Sequence, residues 1–342
     1  MPDLRSDPAS LGGKEGAFAG TMGLATEERA GSGKVVVVCN DCDYFLRHRA
    51  AAMDEVAKTG ARVIVYCGGG RSDAGDPLRL ELRRLDCERF RFAPIGDLLF
   101  TVRLFGILLR ERPDVLHTIT IKPNLYAGLA AAACRMIAGR PARFVMMNPG
   151  LGRLFAARHS GWRSAFATVL VKIALRLALA SPSSLALFEN HGDRRRWVVS
   201  RIVPRRRTSV LPGAGVDTDH FRPPSGGRPV LPFRFFFAAR MLRAKGIGAF
   251  LAAARLLEAD LPAAEFLVAG EIDRRDPDHY PIDALELPGN VRYLGNLPDI
   301  RDALQSAHVV CLPTAYGEGL PRILIEARSE EHTSELQSRL HL

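Results

Sequence analysis

Short runs of β-branched and aromatic residues alternate with amphipathic helical segments along most of this chain. In the first half, the predicted strands and helices are, in chain order, KVVVVC, FLRHRAAAMDEVAKTG, ARVIVYC, IGDLLFTVRLFGILLRE, DVLHTITI, NLYAGLAAAACRMIAG and ARFVMMN. The strand segments are short and mostly apolar, whereas the helical segments repeat their apolar residues every three or four positions. Strands that alternate with helices in this way form parallel sheets covered by helices on both faces. The sequence therefore predicts an α/β fold.

The segment from Arg222 to Pro232, RPPSGGRPVLP, interrupts this alternation with prolines and glycines. Beyond it the pattern restarts with the segments FRFFFAAR, GIGAFLAAARLLEA, AEFLVAG, VRYLG, LPDIRDALQSA and HVVCLP. A chain of 342 residues also exceeds the usual size of one hydrophobic core. We therefore predict a flexible extension over residues 1–33, an N-terminal lobe over 34–205, a C-terminal lobe over 206–327 and a tail over 328–342.

The formal net charge of +10 favours anionic partners such as sugar nucleotides or phospholipid headgroups. Arginines are clustered in RLELRRLDCERFRF, GDRRRW and PRRRTS, which we interpret as solvated faces. Nucleic-acid binding has no support besides this charge and is not predicted.

The six cysteines are spread along the chain and indicate reduced thiols rather than a disulfide framework. Cys39 and Cys42 form the one close pair, and no second pair accompanies them as a zinc site would require. The Asp-Cys-Asp segment beside them stands at the end of the first strand, where a metal-binding Asp-x-Asp is not expected. We predict neither a metal nor a cofactor.

The longest apolar stretch, WRSAFATVLVKIALRLALA, is interrupted by Arg163, Lys172 and Arg176, so we predict a packed helix rather than a membrane span. The basic and apolar stretch LLFTVRLFGILLR would suit docking on anionic lipid, and packing against the sheet is the competing interpretation. The first thirty residues contain no apolar core typical of a signal peptide. We expect a cytoplasmic protein, and its peripheral location on the cytoplasmic face of the membrane is implied mainly by a family resemblance carried by segments such as DVLHTITIKPNLYAGLAAA and NPGLGRLF.

Two cations follow the first strand of the second lobe. Arg240 ends the segment FRFFFAAR, and Lys245 stands just before the next helix. A cation pair beside a helix N-terminus suits a diphosphate, because arginine can fork onto two oxygens while lysine supplies a point charge. The alternative is a solvated helix start with incidental basic residues.

Two acids follow the last predicted strand, in HVVCLPTAYGEGLPRILIEA. Pro321 suits the first turn of a helix, where its missing N–H costs nothing. Glu318 precedes that helix and Glu326 lies eight residues further on, at most roughly 12 Å away along a helix. Such a pair can reach two hydroxyl-bearing groups of one extended ligand.

Three segments, AARMLRAKGIGAFLAAARLL, LPTAYGEGLPRILIEA and VLPGAGVDTDHF, together resemble the donor half of the family 4 (group 1) retaining glycosyltransferases. In the first half, DVLHTITIKPNLYAGLAAA, NPGLGRLF and the Asn-x-x-Asp of FENHGDRRRW are similar to the subgroup that adds sugars to polyprenyl-diphosphate-linked acceptors. The resemblance spans about residues 34–327. It implies the GT-B fold, in which two Rossmann-like lobes with parallel sheets face a cleft.

The resemblance also implies roles for individual residues. Arg240 and Lys245 would grip the donor diphosphate, Glu318 would hold the transferred sugar, and Glu326 would hold the ribose. The remaining predicted donor-binding residues are Gly246, Gly317, Gly319 and Leu320. The acceptor would attack from the face of the leaving group with a diphosphate oxygen as base, without a metal or an enzyme nucleophile.

In the first lobe, His117 is either a catalytic residue that orients a sugar or a structural strand-end histidine. The candidates for the acceptor side of the cleft are Lys122, Asn148, Gly150 and Gly152. The implied reaction moves a sugar from a uridine diphosphate donor to a lipid-linked or polysaccharide acceptor in cell-surface glycan synthesis. The alternative is a non-catalytic remnant that binds sugar nucleotides. A nicotinamide-dependent oxidoreductase is disfavoured, because CNDCDY stands where a Gly-x-Gly-x-x-Gly would follow the first strand.

The C-terminal run RSEEHTSELQS resembles the in-frame translation of a sequencing-library adapter. We therefore interpret Arg328 to Leu342 as an assembly artefact, the other interpretation being a genuine polar tail. In the resembling family, further strands and helices follow the helix that carries the second glutamate. The expectation is an incomplete second lobe and a polypeptide that is poorly soluble and inactive as written.

Overall fold

The computed structural model describes two parallel β-sheets, each part of its own lobe. The described residues are 33–69, 78–85, 93–139, 142–148, 162–211, 213, 215–227, 231–274, 276–315 and 320–330, with the side chains of 162–167 not described. The predicted extension 1–33 lies outside them except for Gly33.

The first lobe contains seven parallel strands in the order β3-β2-β1-β4-β5-β6-β7. The strands are β1 (Lys34–Cys39), β2 (Arg62–Cys67), β3 (Leu80–Arg84), β4 (Val115–Ile119), β5 (Arg143–Asn148), β6 (Leu185–Phe188) and β7 (Thr208–Val210). The helices are α1 (Cys42–His48), α2 (Ala50–Lys58), α3 (Pro94–Glu111), α4 (Ile121–Ala138), α5 (Trp162–Ala178) and α6 (His191–Val199). The strand order reverses between β1 and β4, and ligands of such sheets bind beside the carboxyl ends of the strands at this reversal.

Helices cover both faces of the first sheet, as the apolar strands predict. On β1, Val36 and Val38 pack towards α3, α4 and α5, whereas Val35 and Val37 pack towards α1 and α2. Successive side chains of a strand point to opposite faces, so an almost entirely apolar strand requires a core on both sides.

The second lobe contains four parallel strands in the order β10-β9-β8-β11. The strands are β8 (Phe233–Ala238), β9 (Ala264–Ala269), β10 (Val291–Tyr293) and β11 (Val309–Val310). The helices are α7 (Ile247–Leu257), α8 (Arg301–Ser306) and α9 (Arg322–Ser329). Aromatic side chains of neighbouring strands pack against each other, and Phe235 of β8 stacks on Phe266 of β9 with ring centroids 4.7 Å apart. The core of this lobe is built from residues beyond Val210, so among the described residues the two lobes share no core cluster.

Three predicted elements differ in the structure. The single helix predicted from FLRHRAAAMDEVAKTG is broken at Arg49 into α1 and α2. Part of the first arginine cluster, interpreted as a solvated face, forms strand β3. The boundary predicted at residue 205 is too early, because β7 pairs with β6 and extends the first sheet to Val210.

The helix that carries Glu326 continues past the predicted boundary at Ala327. α9 includes Arg328 and Ser329, and the Ser329 hydroxyl donates to the Phe221 carbonyl at 2.5 Å. The run that we interpret as an artefact therefore begins inside α9, while 331–342 lie outside the described residues. No helix in the described part of the chain is long and apolar enough to cross a membrane.

Candidate functional site

The β8–α7 loop lies at the carboxyl edge of the second sheet and carries both predicted cations. After Arg240 the chain forms a 3-10 turn over Arg243–Lys245, and Gly246 then begins α7. The neighbouring loop fixes this turn, since the Ala244 amide donates to the Asp278 carboxylate at 3.1 Å and the Arg243 amide to its carbonyl at 2.9 Å. A turn held at both of these points presents the N-terminus of an eleven-residue helix in a defined direction.

Gly246 brings this loop into contact with the segment that follows β11. Its φ of +85° lies in the left-handed region, and a Cβ atom there would stand 2.0 Å from the Pro313 carbonyl oxygen. The contact is reinforced by the Ala315 amide, which donates to the Ala244 carbonyl at 2.9 Å. Only glycine fits this approach. The basic loop and the segment leading towards 316–319 are therefore neighbours.

One cation of the loop, Arg240, has an acidic neighbour. Arg240 is 35% exposed, and its Nη1 atom lies 4.0 Å from a carboxylate oxygen of the buried Asp276. Asp276 in turn accepts the Asp278 amide at 3.0 Å. Lys245 is half-buried directly before the α7 N-terminus. An anion at this edge would meet a guanidinium, an ammonium and the amides of the first helical turn.

Glu326, the second predicted acid, lies on the buried face of α9. Its Oε1 atom is 2.6 Å from Nε of Arg322, one turn earlier on the same helix. Burial raises the pKa of the Glu326 carboxyl above its usual value, and the Arg322 charge opposes that shift. The carboxylate is therefore held by one cation in a poorly solvated place.

The first lobe contributes an ion pair that the sequence did not predict. Arg49, at the break between α1 and α2, pairs with Glu189, the residue directly after β6. Both side chains are less than a tenth exposed, so neither charge could remain there alone. The Asn-x-x-Asp segment next to Glu189 caps α6. The side-chain oxygen of Asn190 accepts the backbone amide of Asp193 at 2.7 Å, and the side-chain amide of Asn190 donates to the Asp193 carboxylate at 3.0 Å. In the sequence, the feature that could have pointed to Glu189 is its position between an apolar strand and this helix cap.

The two lobes meet at residues 320–322. The Leu320 amide donates to the Glu189 carboxylate. The Arg322 guanidinium donates to the Arg47 carbonyl and lies 3.1 Å from Nδ1 of His48. Burial, followed by the positive charge of Arg322, lowers the pKa of His48 to about 4, so the ring is neutral and accepts this bond. Leu320, which we predict to be a donor-binding residue, thus lies at the interlobe contact.

His117 stands on β4 and faces the side of the sheet covered by α1 and α2. Its Nδ1 atom lies 3.2 Å from the Val145 carbonyl, to which only a protonated nitrogen can donate. Burial lowers the pKa of His117 to about 4, so the ring is neutral at physiological pH. In this tautomer Nε2 is an acceptor, which suits a hydroxyl group.

The buried, neutral His117 should make the fold sensitive to acid. The pKa of His117 is 6.5 in the unfolded chain and about 4 in the folded protein. The contribution of the neutral ring to the free energy of unfolding is therefore complete above pH 6.5 and is lost as the pH falls towards 4. The total loss from this residue is about 3 kcal/mol. We expect His117→Gln to lose less stability than the wild type between pH 7 and pH 4.5, measured by urea unfolding. Parallel stability curves for the two proteins would contradict this assignment.

The acceptor-side candidates are distributed over separate contacts. Lys122 is buried at the start of α4, with its ammonium 3.4 Å from the Asp97 carboxylate. Asn148 is buried at the end of β5, where its side-chain oxygen lies 3.4 Å from the Asn124 amide nitrogen. The Asn148 amide nitrogen has no hydrogen-bond partner among the described residues. Five of the predicted site residues lie outside the described ranges, namely Gly150, Gly152, Gly317, Glu318 and Gly319.

The cysteine pair is buried among core residues at the ends of β1 and α1. Burial raises the pKa of the Cys39 thiol to about 12, so the thiol is protonated and unreactive at neutral pH. Within the described ranges, no three His, Cys, Asp or Glu side chains come together as metal ligands.

Comparison with known proteins identifies the second lobe. Residues 222–329 match the family described as Glycosyl transferases group 1. This segment contains Arg240, Lys245 and Glu326, together with the contact between Gly246 and Pro313. No curated protein matches this chain significantly.

The fold is similar to that of several solved structures. Sucrose-phosphate synthase from Thermosynechococcus elongatus has a TM-score of 0.65 at 15% identity, covering 88% of this chain and 80% of that one. Anabaena HepE, solved in complex with UDP and glucose, has a TM-score of 0.63 at 16% identity, covering 88% and 79%. α,α-Trehalose 6-phosphate synthase from Burkholderia multivorans has a TM-score of 0.60 at 13% identity, covering 87% and 81%. The chain has the GT-B fold that its sequence predicts.

Proposed function

We propose that this chain is a retaining glycosyltransferase that moves a sugar from a uridine diphosphate donor to a lipid-linked or polysaccharide acceptor in cell-surface glycan synthesis. The observation that carries the proposal is the contact of Gly246 with Pro313, which joins a basic strand end, a helix N-terminus and the segment after β11. That contact lies inside the residues that match the group 1 family. The UDP and glucose in the HepE structure guide the choice of nucleotide.

In this proposal the donor diphosphate binds at the β8–α7 loop. Arg240 and Lys245 offset the charge that develops on the leaving nucleotide, and the first amides of α7 donate to its oxygens. Glu318 binds hydroxyls of the transferred sugar. Glu326 keeps Oε1 on Arg322 and uses Oε2 for the ribose. A diphosphate oxygen removes the proton from the acceptor hydroxyl, which attacks on the face that the nucleotide leaves.

The first lobe would hold the acceptor. His117 offers Nε2 to a sugar hydroxyl, because its Nδ1 proton is engaged by the Val145 carbonyl. We assign the acceptor diphosphate to the neighbourhood of Asn148, whose amide nitrogen has no partner among the described residues, with Gly150 and Gly152 beside it. Lys122 would contribute only by releasing Asp97.

Transfer is tested by incubating the purified protein with a panel of UDP-sugars and polyprenyl-diphosphate-linked acceptors, and by measuring UDP release and the anomeric configuration of the product. Acceptor-dependent UDP release, with a product that keeps the donor configuration, would support the proposal and would contradict the expectation that the polypeptide as written is inactive. UDP binding without transfer would favour the non-catalytic alternative. Absence of UDP binding would refute the proposal.

A lipid-linked acceptor requires the protein to reach a membrane surface. Helix α3 has an exposed apolar face that could bind such a surface. Its exposed apolar residues Ile95, Leu98, Leu99 and Val102 follow helical spacing and are 58% to 78% exposed. Arg103 is exposed beside them. A helix face with apolar residues and a flanking cation suits the interface of an anionic bilayer.

Replacing Leu98 and Leu99 by aspartate should weaken binding to vesicles that contain anionic lipid by at least about tenfold. The change removes apolar area from the interface and adds repulsion from the lipid charge. Co-sedimentation with phosphatidylglycerol vesicles measures the effect. Leu256→Asp is the matched control, since Leu256 is 78% exposed on the other lobe. Equal loss in both variants, or no loss, would contradict docking through α3.

A further inference from the structure

The contact between the lobes is built from polar groups on two short segments and on Glu189. The first lobe supplies residues 47–49 and Glu189, and the second lobe supplies residues 320–322. We call these groups the interlobe latch. Its two connections are the Leu320 amide to the Glu189 carboxylate, and the Arg322 guanidinium to the Arg47 carbonyl and the His48 ring.

Each connection continues to a charged partner inside its own lobe. Glu189 remains paired with Arg49 whether or not Leu320 is present. Arg322 remains paired with Glu326 whether or not His48 is present. Separation of the lobes therefore leaves no buried charge without its counter-ion, so the latch can open and close reversibly.

The latch reaches the proposed donor site directly. Arg322 bridges His48 of the first lobe to Glu326, the acid assigned to the ribose. Leu320 directly follows the segment assigned to the transferred sugar, and its amide is fixed by an acid of the opposite lobe. Resting on the proposed function, we propose that Glu189 and Arg322 are positioning residues that hold the donor-binding segment in its working geometry only when the lobes are together.

Amide hydrogen exchange on the full chain tests the latch across the gap between the lobes. Arg322→Gln alters the second lobe and should speed exchange in peptides covering residues 42–58 of the first about fivefold. Arg49→Met combined with Glu189→Leu removes both charges of the buried pair and should speed exchange around residues 320–330 to a similar extent. Arg255→Gln, an exposed arginine on α7, is the matched control and should change neither region.

UDP binding supplies a second readout. The double variant leaves the Arg322–Glu326 pair intact, so we expect its Kd for UDP to rise about tenfold through loss of positioning alone. Exchange changes confined to the mutated lobe, or an unchanged Kd in the double variant, would overturn the proposal. If the wild type binds no UDP, the proposed function fails, and the exchange across the lobes still decides whether the latch exists.

Discussion

Replacing Lys245 by alanine should lower kcat/KM for sugar transfer about 1000-fold. The ammonium stands directly before the N-terminus of α7, where we assign the donor diphosphate. Removing one preorganised charge from a site where negative charge develops costs about 3–4 kcal/mol of transition-state stabilisation. Arg240→Lys should lower kcat/KM less, because it keeps the positive charge but loses the guanidinium group that can bind two oxygens at once. Steady-state UDP release with a saturating acceptor measures both variants.

The matched control for this experiment is Arg255→Ala, which removes an exposed cation from the last turn of the same helix. It should retain transfer within about a factor of two, because an exposed charge at the far end of the helix is largely screened from the site. A Lys245→Ala variant with near wild-type kcat/KM would show that the diphosphate does not bind at this loop.

Replacing Gly246 by alanine should destabilise the protein by about 3 kcal/mol and abolish UDP binding. The added Cβ would stand 2.0 Å from the Pro313 carbonyl oxygen, and the backbone holds a φ of +85° that alanine rarely adopts. The left-handed conformation and the overlap each cost about 1–2 kcal/mol or more. Relief of the overlap requires the two loops to separate, which would disperse the cationic edge. Urea unfolding and titration with UDP measure the two effects.

Gly248→Ala is the control, two residues further along α7. Its Cβ would meet the Tyr280 ring at 3.8 Å, an ordinary contact, so alanine should stabilise the helix by about 0.5–1 kcal/mol. Wild-type stability in Gly246→Ala would mean that the two loops do not approach as closely as described.

The fold was predictable where the local pattern determines the element. Strand β1 is apolar on both faces, so its place in the middle of a covered parallel sheet follows from its composition. Strand β3 was missed because it lies at the edge of the sheet and carries Arg83 and Arg84, which resemble a solvated surface. Arg83 is instead held in the sheet by the Glu111 carboxylate at 2.7 Å, a partner that the local sequence does not reveal.

The residues that we assign to the donor lie in continuous motifs around two strand ends, so their approach to one another was predictable. Arg240, Lys245 and Gly246 follow β8 within a few positions, and their contact with the segment after β11 follows from pairing of those neighbouring strands. The Arg49–Glu189 pair was not predictable, because its members are 140 positions apart and Arg49 occurs within an apparently regular helical pattern. Only tertiary packing shows that both are buried.

The separate cores of the two lobes make this molecule modular. Each of the described core clusters draws its residues from one lobe alone, and the lobes touch through hydrogen bonds. A substitution that changes the packing in the core of one lobe is therefore not expected to change the packing in the core of the other. Descendants of such a gene can change what one half recognises while the machinery in the other half is inherited intact.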